Sequence, residues 1–302
     1  MAKELFDKKY DKTVLFDSAM GTALIAAGVL PAGESSERAN IDAPDVVANI
    51  HRRNIEAGCD IITANTFGVH IGESFSDRGD PVAEEEALRA GVRLAKKSAA
   101  QTMAEGGAAT GRKIYTALDI GPIGDIIGLT CSLTHDDAVE MFARAAGAGA
   151  SEGADLVLIE TMSDLAEAID AITAVKAETD LPVICSMTFG SGGRTFMGVS
   201  PEEFAKAAIE AGADAVGANC SLGSYEMIPP AEALVAAAGD IPVLVQPNAG
   251  QPRMEGTNVY YDMTPEDFTD GALEMIKSGV RFVGGCCGTT PEMITLLREK
   301  IR

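Results

Sequence analysis

The sequence predicts an α/β protein, a single-domain (β/α)8 TIM barrel, and three observations carry that prediction. Short apolar runs rich in β-branched residues alternate with longer segments whose apolar residues recur at helical spacing. One junction repeats along the chain, in which Gly, a small residue and Asp lead into an apolar run. No Pro- or Ser-rich linker divides the 302 residues, so we expect one barrel domain over residues 1–302. Eight strand–helix units fit a closed barrel better than an open sheet.

The strands are recognised by the residues that precede them. Gly58, Gly153 and Gly212 each end a helical pattern and supply the left-handed turn that stops it. Pro182 and Pro242 stand at strand starts, where a missing N–H is tolerated. The eight predicted strands are Thr13–Asp17, Asp60–Asn65, Ile114–Asp119, Leu156–Glu160, Val183–Thr188, Ala215–Asn219, Val243–Gln246 and Arg281–Gly285.

The segments between these strands have amphipathic helical periodicity. His51 falls within one of them, beside Arg52 and Arg53, and we expect its ring to be solvated. The predicted helices include Asp45–Ala57, Val82–Ala104, Asp136–Glu152, Ser163–Glu178, Pro201–Ala211 and Pro265–Lys277.

Charge and composition narrow the class of partner. The formal net charge of −21 repels phosphate backbones and anionic lipids, so nucleic acid and membranes are excluded as main partners. The N-terminus has no signal-peptide pattern and no apolar run is long enough to span a bilayer, which predicts a cytoplasmic protein. Neither a G-x-G-x-x-G fingerprint nor a phosphate-binding P-loop follows the first strand. A small ligand or a soluble protein remains.

Polar residues collect where the predicted strands end. In a barrel of this class the active site lies at the carboxyl ends of the strands. Carboxylates and thiols at the last residue of a buried strand are costly unless they serve a site. The residues at these ends are Asp17, Asn65, Thr66, Asp119, Glu160, Thr161, Asn219, Cys220, Gln246, Asn248, Cys286 and Cys287.

Three of the six cysteines, Cys220, Cys286 and Cys287, lie at strand ends that can converge in a barrel. Free cysteine is most often a small buried hydrophobe, and we accept that interpretation for Cys59, Cys131 and Cys185. Three thiolates without a fourth protein ligand match a tetrahedral zinc site with one open position, the arrangement of a catalytic zinc. A disulfide between Cys286 and Cys287 is the alternative, and it is strained and disfavoured in a reducing compartment.

The segment Gly284–Pro291, GGCCGTTP, resembles the signature of the homocysteine methyltransferase family. Gly217–Gly223 is similar to the family's first zinc-ligand loop, and the segments Asp17–Thr22, Ala64–Gly68 and Pro247–Gly250 match further family motifs in the same order. The match covers essentially the whole chain. Within the family, these motifs most resemble those of the homocysteine-binding module of cobalamin-dependent methionine synthase. Two features depart from that pattern: Ser18 stands where the family usually has Gly, and the chain ends at Arg302 without a folate or corrinoid domain.

The resemblance implies a zinc-dependent S-methyltransferase that activates homocysteine as a thiolate and yields methionine. Cys220, Cys286 and Cys287 would bind zinc, and no further catalytic group is expected. Asp17 and Glu160 would bind the substrate ammonium, with Ser18, Asn65, Thr66 and Asp119 as further substrate contacts. Asn219 would support the Cys220 loop. The methyl donor would be methylcobalamin or another corrinoid carried by a partner protein, because the chain would be a free-standing acceptor half.

Two other functions remain open at this stage. The same thiol chemistry could use betaine, S-methylmethionine or another small methylated donor. Aromatic cages usually hold quaternary ammonium groups, and a chain with no Trp and 5 Tyr is poorly equipped to build one. A non-catalytic zinc or amino-acid binding module belongs to a different class. It has no need for the Asp17 and Glu160 carboxylates beside the thiols.

Overall fold

The structure is a computed structural model that describes residues 2–30, 35–68, 81–109, 111–127, 129–255 and 258–301. Eight parallel strands form one sheet in the order β1-β10-β7-β6-β5-β4-β3-β2. Apart from β1 and β2, which stand at its two edges, barrel strands that follow one another in the chain are neighbours in the sheet. The sheet therefore curls into a nearly closed barrel. The barrel strands are β1 Val14–Leu15, β2 Ile61–Thr63, β3 Tyr115–Ile120, β4 Leu156–Met162, β5 Val183–Met187, β6 Ala215–Gly223, β7 Val243–Asn248 and β10 Phe282–Val283.

Helices follow the barrel strands and cover the outside of the sheet. Local sequence sets their ends: Thr134 and Asp137 form a capping box at one start, and Ser200 and Glu203 form another. Gly58 ends a helix with a left-handed φ of 112°. The helices are α1 Met20–Ala26, α2 Ala39–Asp42, α3 Pro44–Ala57, α4 Pro81–Glu105, α5 His135–Ser151, α6 Leu165–Glu178, α7 Pro201–Glu210, α8 Ile228–Ala238, α9 Pro265–Lys277 and α10 Pro291–Lys300.

The strands divide their side chains between two cores, as the two-residue period of a strand requires. Phe16, Leu158 and Phe282 belong to the cluster that fills the barrel interior. Leu15, Val157 and Val283, their neighbours in sequence, belong to the larger cluster between the sheet and the helices. The interior is therefore a packed core, and a ligand site has to lie at an end of the barrel.

Side chains close the seam between β1 and β2. The Asp60 amide donates to the Leu15 carbonyl (2.6 Å), and the Leu15 amide donates to Asp60 Oδ2 (2.9 Å). At the other end of the seam, Thr63 donates from its amide to Asp17 Oδ2 (2.9 Å) and from its hydroxyl to Asp17 Oδ1 (2.8 Å). Carboxylates thus accept hydrogen bonds from the edge strands where a backbone ladder would otherwise run.

The predicted fold class is confirmed, with local differences. The strands β4, β6 and β7 continue past their predicted ends, to Met162, Gly223 and Asn248. A short antiparallel hairpin, β8 Arg253–Glu255 and β9 Asn258–Tyr260, interrupts the connection from β7 to α9 and has no counterpart in the predictions.

The prediction for His51 is wrong. Its ring is fully buried in α3, and among the described residues neither ring nitrogen has a hydrogen-bond partner. Burial lowers the pKa of His51 to about 4, so the ring is neutral at physiological pH. Another histidine, His70, lies outside the described residues. No helix in the described part of the chain is long and apolar enough to cross a membrane.

Candidate active site: a thiol cluster beside an acidic pocket

A pocket of about 370 Å³ opens at the carboxyl ends of the barrel strands. Its lining comes from distant parts of the chain that the barrel brings together at one end. The described residues that line it are Asp17, Ser18, Ala19, Met20, Gly21, Thr22, Ser36, Thr63, Ala64, Asn65, Phe67, Asp119, Glu160, Thr161, Cys220, Gln246, Gly285, Cys286 and Cys287.

The three predicted thiols converge on one side of this pocket. Cys220 lies on β6, while Cys286 and Cys287 follow β10, and the three sulfur atoms lie within 4.8 Å of one another. Cys286 Sγ and Cys287 Sγ are 3.9 Å apart, and all three side chains are free thiols. Hydrogen bonds with Cys220 and Cys286 lower the pKa of Cys287 to about 3, while the hydrogen bonds of Cys286 with Cys220 and Cys287 raise the pKa of Cys286. Soft sulfur donors in this number and spacing fit a tetrahedral metal with one open position.

The backbone beside the thiols is strained. In the described part of the chain, only three non-glycine residues have positive φ: Thr161 (63°), Cys220 (62°) and Ser221 (61°). They lie where the register of β4 and β6 shifts against the neighbouring strands. A left-handed non-glycine residue costs about 1–2 kcal/mol, and surrounding contacts must hold it. The irregular backbone turns Cys220 out of the regular strand pattern and into the pocket.

The buried side chain of Asn219 holds these two irregular strands together. Its Oδ1 accepts hydrogen bonds from the Thr161 amide (2.8 Å) and from the Ser186 hydroxyl (2.7 Å). Its Nδ2 donates to Thr161 Oγ1 (2.7 Å), and its backbone carbonyl accepts from the Thr188 hydroxyl (3.1 Å). Asn219 therefore joins β4, β5 and β6 immediately before Cys220.

Three buried carboxyl groups also line the pocket. Burial raises the pKa of Asp17 to about 7, and burial with the nearby Cys220 and Asp17 raises the pKa of Glu160 to about 8. Burial and the charges of Glu160 and Glu37 raise the pKa of Asp119 well above its ordinary value. None of the described lining residues is Lys, Arg or His. A positively charged ligand group would relieve this repulsion and fix the carboxylates in their ionised form.

Three side-chain oxygens at the carboxyl ends of the strands are buried without a hydrogen-bond donor among the described residues. They are Asp119 Oδ1, Gln246 Oε1 and Asn248 Oδ1. Buried polar atoms are normally satisfied, and two of these residues, Asp119 and Gln246, line the pocket, so their unpaired acceptors indicate a ligand site there. Unpaired acceptors on Asp119 and Gln246, together with the carboxyl groups of Asp17 and Glu160, favour a ligand rich in N–H donors, such as an ammonium group.

The predicted substrate contacts differ in how freely they face the pocket. Ser18 lines it, but its amide (3.0 Å) and hydroxyl (2.8 Å) both donate to Asn54 Oδ1. Asn65 lines it too, yet its side chain is bonded to Ser36 and Asn40. Thr66 does not line the pocket; its hydroxyl donates to the Asp119 carbonyl (2.8 Å). The extra hydroxyl of Ser18 is thus explained by its bond to α3.

The turn that follows β1 offers free amides. The amides of Met20, Gly21 and Thr22 begin α1 and carry no hydrogen bond within the described residues. The preceding Ala19 amide donates to Thr289 Oγ1 (3.1 Å), which fixes the turn beside the thiol loop. Backbone N–H groups at a helix start attract anionic groups such as a carboxylate.

Sequence reasoning missed two residues of the site. Thr63 orients Asp17 through two hydrogen bonds; it directly precedes the Ala64–Gly68 motif but is not among the predicted site residues. Tyr261 lies beside Cys287, from the connection between β7 and α9. A threonine inside a strand and a tyrosine in a long connection carry no signal in one sequence. The topology alone brings them to the site.

The chain matches one family model, described as Homocysteine S-methyltransferase, over residues 14–301. It is 30% identical to methionine synthase from Mycobacterium tuberculosis over 96% of this chain and 25% of that protein. It is also 30% identical to methionine synthase from Mycobacterium leprae, over 96% of this chain and 24% of that protein. The chain thus spans about a quarter of the length of these relatives. The homocysteine methyltransferase MmuM from Escherichia coli, in its metallated form, has the same fold, with a TM-score of 0.80, 22% identity and 96% of both chains covered.

Proposed function

The chain belongs to the homocysteine S-methyltransferase family, and from that premise we propose a zinc-dependent enzyme of the methionine synthase type. It would take a methyl group from a corrinoid on a partner protein onto homocysteine and release methionine. The observation that carries the proposal is the convergence of Cys220, Cys286 and Cys287 beside an acidic pocket of about 370 Å³. Thiol ligands for a metal and acceptors for an ammonium are the two recognition elements that an amino-acid thiol requires.

The three cysteine thiolates would hold the metal and leave one of its four coordination positions open. When bound, zinc would supply the positive charge that lowers the pKa of the substrate thiol, so that its sulfur is nucleophilic at neutral pH. Asn219 keeps the Cys220 loop in its left-handed conformation. The chain therefore need not supply a general base.

The carboxylates would orient the amino acid. Glu160 and Asp119 face the pocket with raised pKa values and no basic partner among its lining residues, so the substrate ammonium would provide their missing charge. Asp17 would contribute less directly, because both its oxygens already accept from Thr63. The amides of Met20, Gly21 and Thr22 would receive the carboxylate.

The face around the pocket favours a donor carried by a protein. Among the described residues, every exposed large apolar or aromatic side chain lies in a segment between a barrel strand and the long helix that follows it. Such segments begin at the carboxyl ends of the strands, where the pocket opens. Exposed aromatic and Met side chains are typical of protein interfaces. These residues are Ile25, Val29, Ile41, Leu129, Phe196, Met197, Tyr225, Met254, Val259 and Tyr260.

A donor comparison tests the proposal. Zinc-loaded protein is incubated with homocysteine and, in separate reactions, methylcobalamin, betaine or S-methylmethionine, and methionine is measured by mass spectrometry. We expect methionine with methylcobalamin. Product only with betaine or S-methylmethionine would overturn the corrinoid assignment and retain the thiol chemistry. Homocysteine binding by calorimetry without methionine from any donor would indicate a binding module instead of an enzyme.

A further inference from the structure

The thiol loop, residues 285–289, is bonded directly to the turn that follows β1. At one end of the loop, the Gly285 amide donates to the Asp17 carbonyl (3.0 Å). Near the other end, the Gly288 amide donates to Thr22 Oγ1 (3.1 Å). The loop that carries two of the predicted metal ligands is therefore joined at two points to the turn that carries one of the pocket carboxyl groups.

The buried side chain of Thr289 adds a third link between the loop and the turn. Its hydroxyl donates to the Cys286 carbonyl (2.7 Å) and accepts a hydrogen bond from the Ala19 amide (3.1 Å). A Cβ on Gly285 would stand 2.2 Å from Thr289 Oγ1, so glycine at that position leaves room for the hydroxyl. One hydroxyl thus bridges the backbone of a predicted metal ligand and the backbone of the turn.

Other contacts anchor the turn to the barrel. Ser18 donates from its amide (3.0 Å) and its hydroxyl (2.8 Å) to Asn54 Oδ1 on α3. Thr63 on β2 donates twice to the Asp17 carboxylate. Because α3 and β2 hold the turn, the hydroxyl bridge sets where the thiol loop lies relative to the Asp17 carboxyl group.

We propose that Thr289 is a positioning residue that couples metal binding to amino-acid binding, because its hydroxyl holds the Cys286 backbone and the turn after β1 in one arrangement. The inference rests on the proposed function, in which one substrate binds the metal through its sulfur and the pocket carboxyl groups through its ammonium. Both ends of that substrate are satisfied only when the distance between the two subsites is fixed, and a misplacement of about 1 Å can cost about 100-fold in rate. A ligand that orders the loop and the turn spares the second ligand that cost, so each should strengthen the binding of the other by the same factor.

Linked binding measurements test this role without measuring activity. The zinc affinity of the reduced protein is determined by chelator competition, with and without L-norleucine, an amino acid as long as methionine that has no sulfur for the metal. In the parent, norleucine should tighten zinc binding about fivefold or more, the lower end of the usual range for coupled sites. In Thr289→Val, which replaces the hydroxyl by a methyl group, zinc binding should weaken about tenfold or more and the norleucine effect should fall below about twofold.

Two variants separate the hydroxyl from the rest of the side chain. Thr289→Ser keeps the hydroxyl and should restore both the zinc affinity and the norleucine effect. Thr295→Val is the matched control, because the Thr295 hydroxyl donates to the Pro291 carbonyl (3.0 Å) within α10 and its loss should leave both quantities unchanged.

Hydrogen–deuterium exchange of the metal-free protein checks the bridge independently of any ligand. The Ala19 amide should exchange faster in Thr289→Val than in the parent, because it loses its acceptor. A parent that fails to bind zinc or norleucine would count against the proposed function, and the exchange measurement would still decide whether the bridge exists. A norleucine effect that is absent from a parent binding both, unchanged in Thr289→Val or equally lost in Thr289→Ser would overturn the proposal, as would unchanged exchange at Ala19.

Discussion

Replacing Asn219 by Ala tests whether one buried amide holds the strained backbone of the site. The substitution removes three side-chain hydrogen bonds, two of which are made by Thr161 and one by Ser186. It leaves the Thr161 amide without its acceptor. The left-handed conformations of Thr161 and Cys220 then lose the contact that fixes them.

The magnitude follows from those contacts. An unsatisfied buried donor costs about 1–3 kcal/mol, and a left-handed non-glycine residue stores about 1–2 kcal/mol that can relax once the constraint is removed. Because such relaxation offsets part of the cost, we expect the free energy of unfolding to fall by about 1–3 kcal/mol. Loss of a group that orients a metal ligand typically weakens metal binding about 10–100-fold, and we expect a change of that size in zinc affinity.

The assay combines urea denaturation with a chelator competition for zinc. Asn49→Ala is the control, because Asn49 is exposed on α3 and should change the unfolding free energy by less than about 0.5 kcal/mol. If Asn219→Ala kept its zinc affinity within about twofold while losing stability, Asn219 would be a structural residue only. If it lost neither, the argument from backbone strain would be refuted.

Three further substitutions extend the test. Cys286→Ser should lose zinc, measured by plasma mass spectrometry, and full retention of zinc would contradict its role as a ligand. Glu160→Gln should keep zinc but raise the homocysteine Kd about tenfold or more in calorimetry, because a charge-assisted contact to the ammonium is lost; an unchanged Kd would remove Glu160 from the binding site. Glu167 accepts from the Ile123 amide, and burial raises its pKa from 4.5 to about 7, so its stabilising effect is complete below about pH 4.5 and is lost as pH rises through 7. Glu167→Gln should therefore be more stable than the parent in urea at pH 8, by at most about 3 kcal/mol, with no gain near pH 4.5; an equal effect at both pH values would contradict this.

The barrel was predictable because its local signals agree with one another. The Gly-x-Asp junctions before β2, β4 and β6 mark both the end of a helix and the start of a buried strand. The convergence of Cys220 with Cys286 and Cys287 followed from the fold class, since carboxyl ends of parallel strands share one face.

Other features were beyond the reach of a single sequence. The left-handed conformations of Thr161 and Cys220 carry no local signal, because neither residue favours positive φ. The burial of His51 depends on the side of α3 that packs inward, and its polar neighbours Arg52 and Arg53 concealed that. The Asp17 carboxylate bonds to Thr63 because β1 and β2 are not paired through a backbone ladder, and one sequence does not reveal that gap.

X-ray absorption at the zinc edge of freshly purified, reduced protein tests the central claim most directly. The account predicts stoichiometric zinc with three sulfur neighbours, and a fourth sulfur neighbour after homocysteine is added. Zinc bound through nitrogen or oxygen with fewer than three sulfurs, or a sulfur count unchanged by homocysteine, would contradict it.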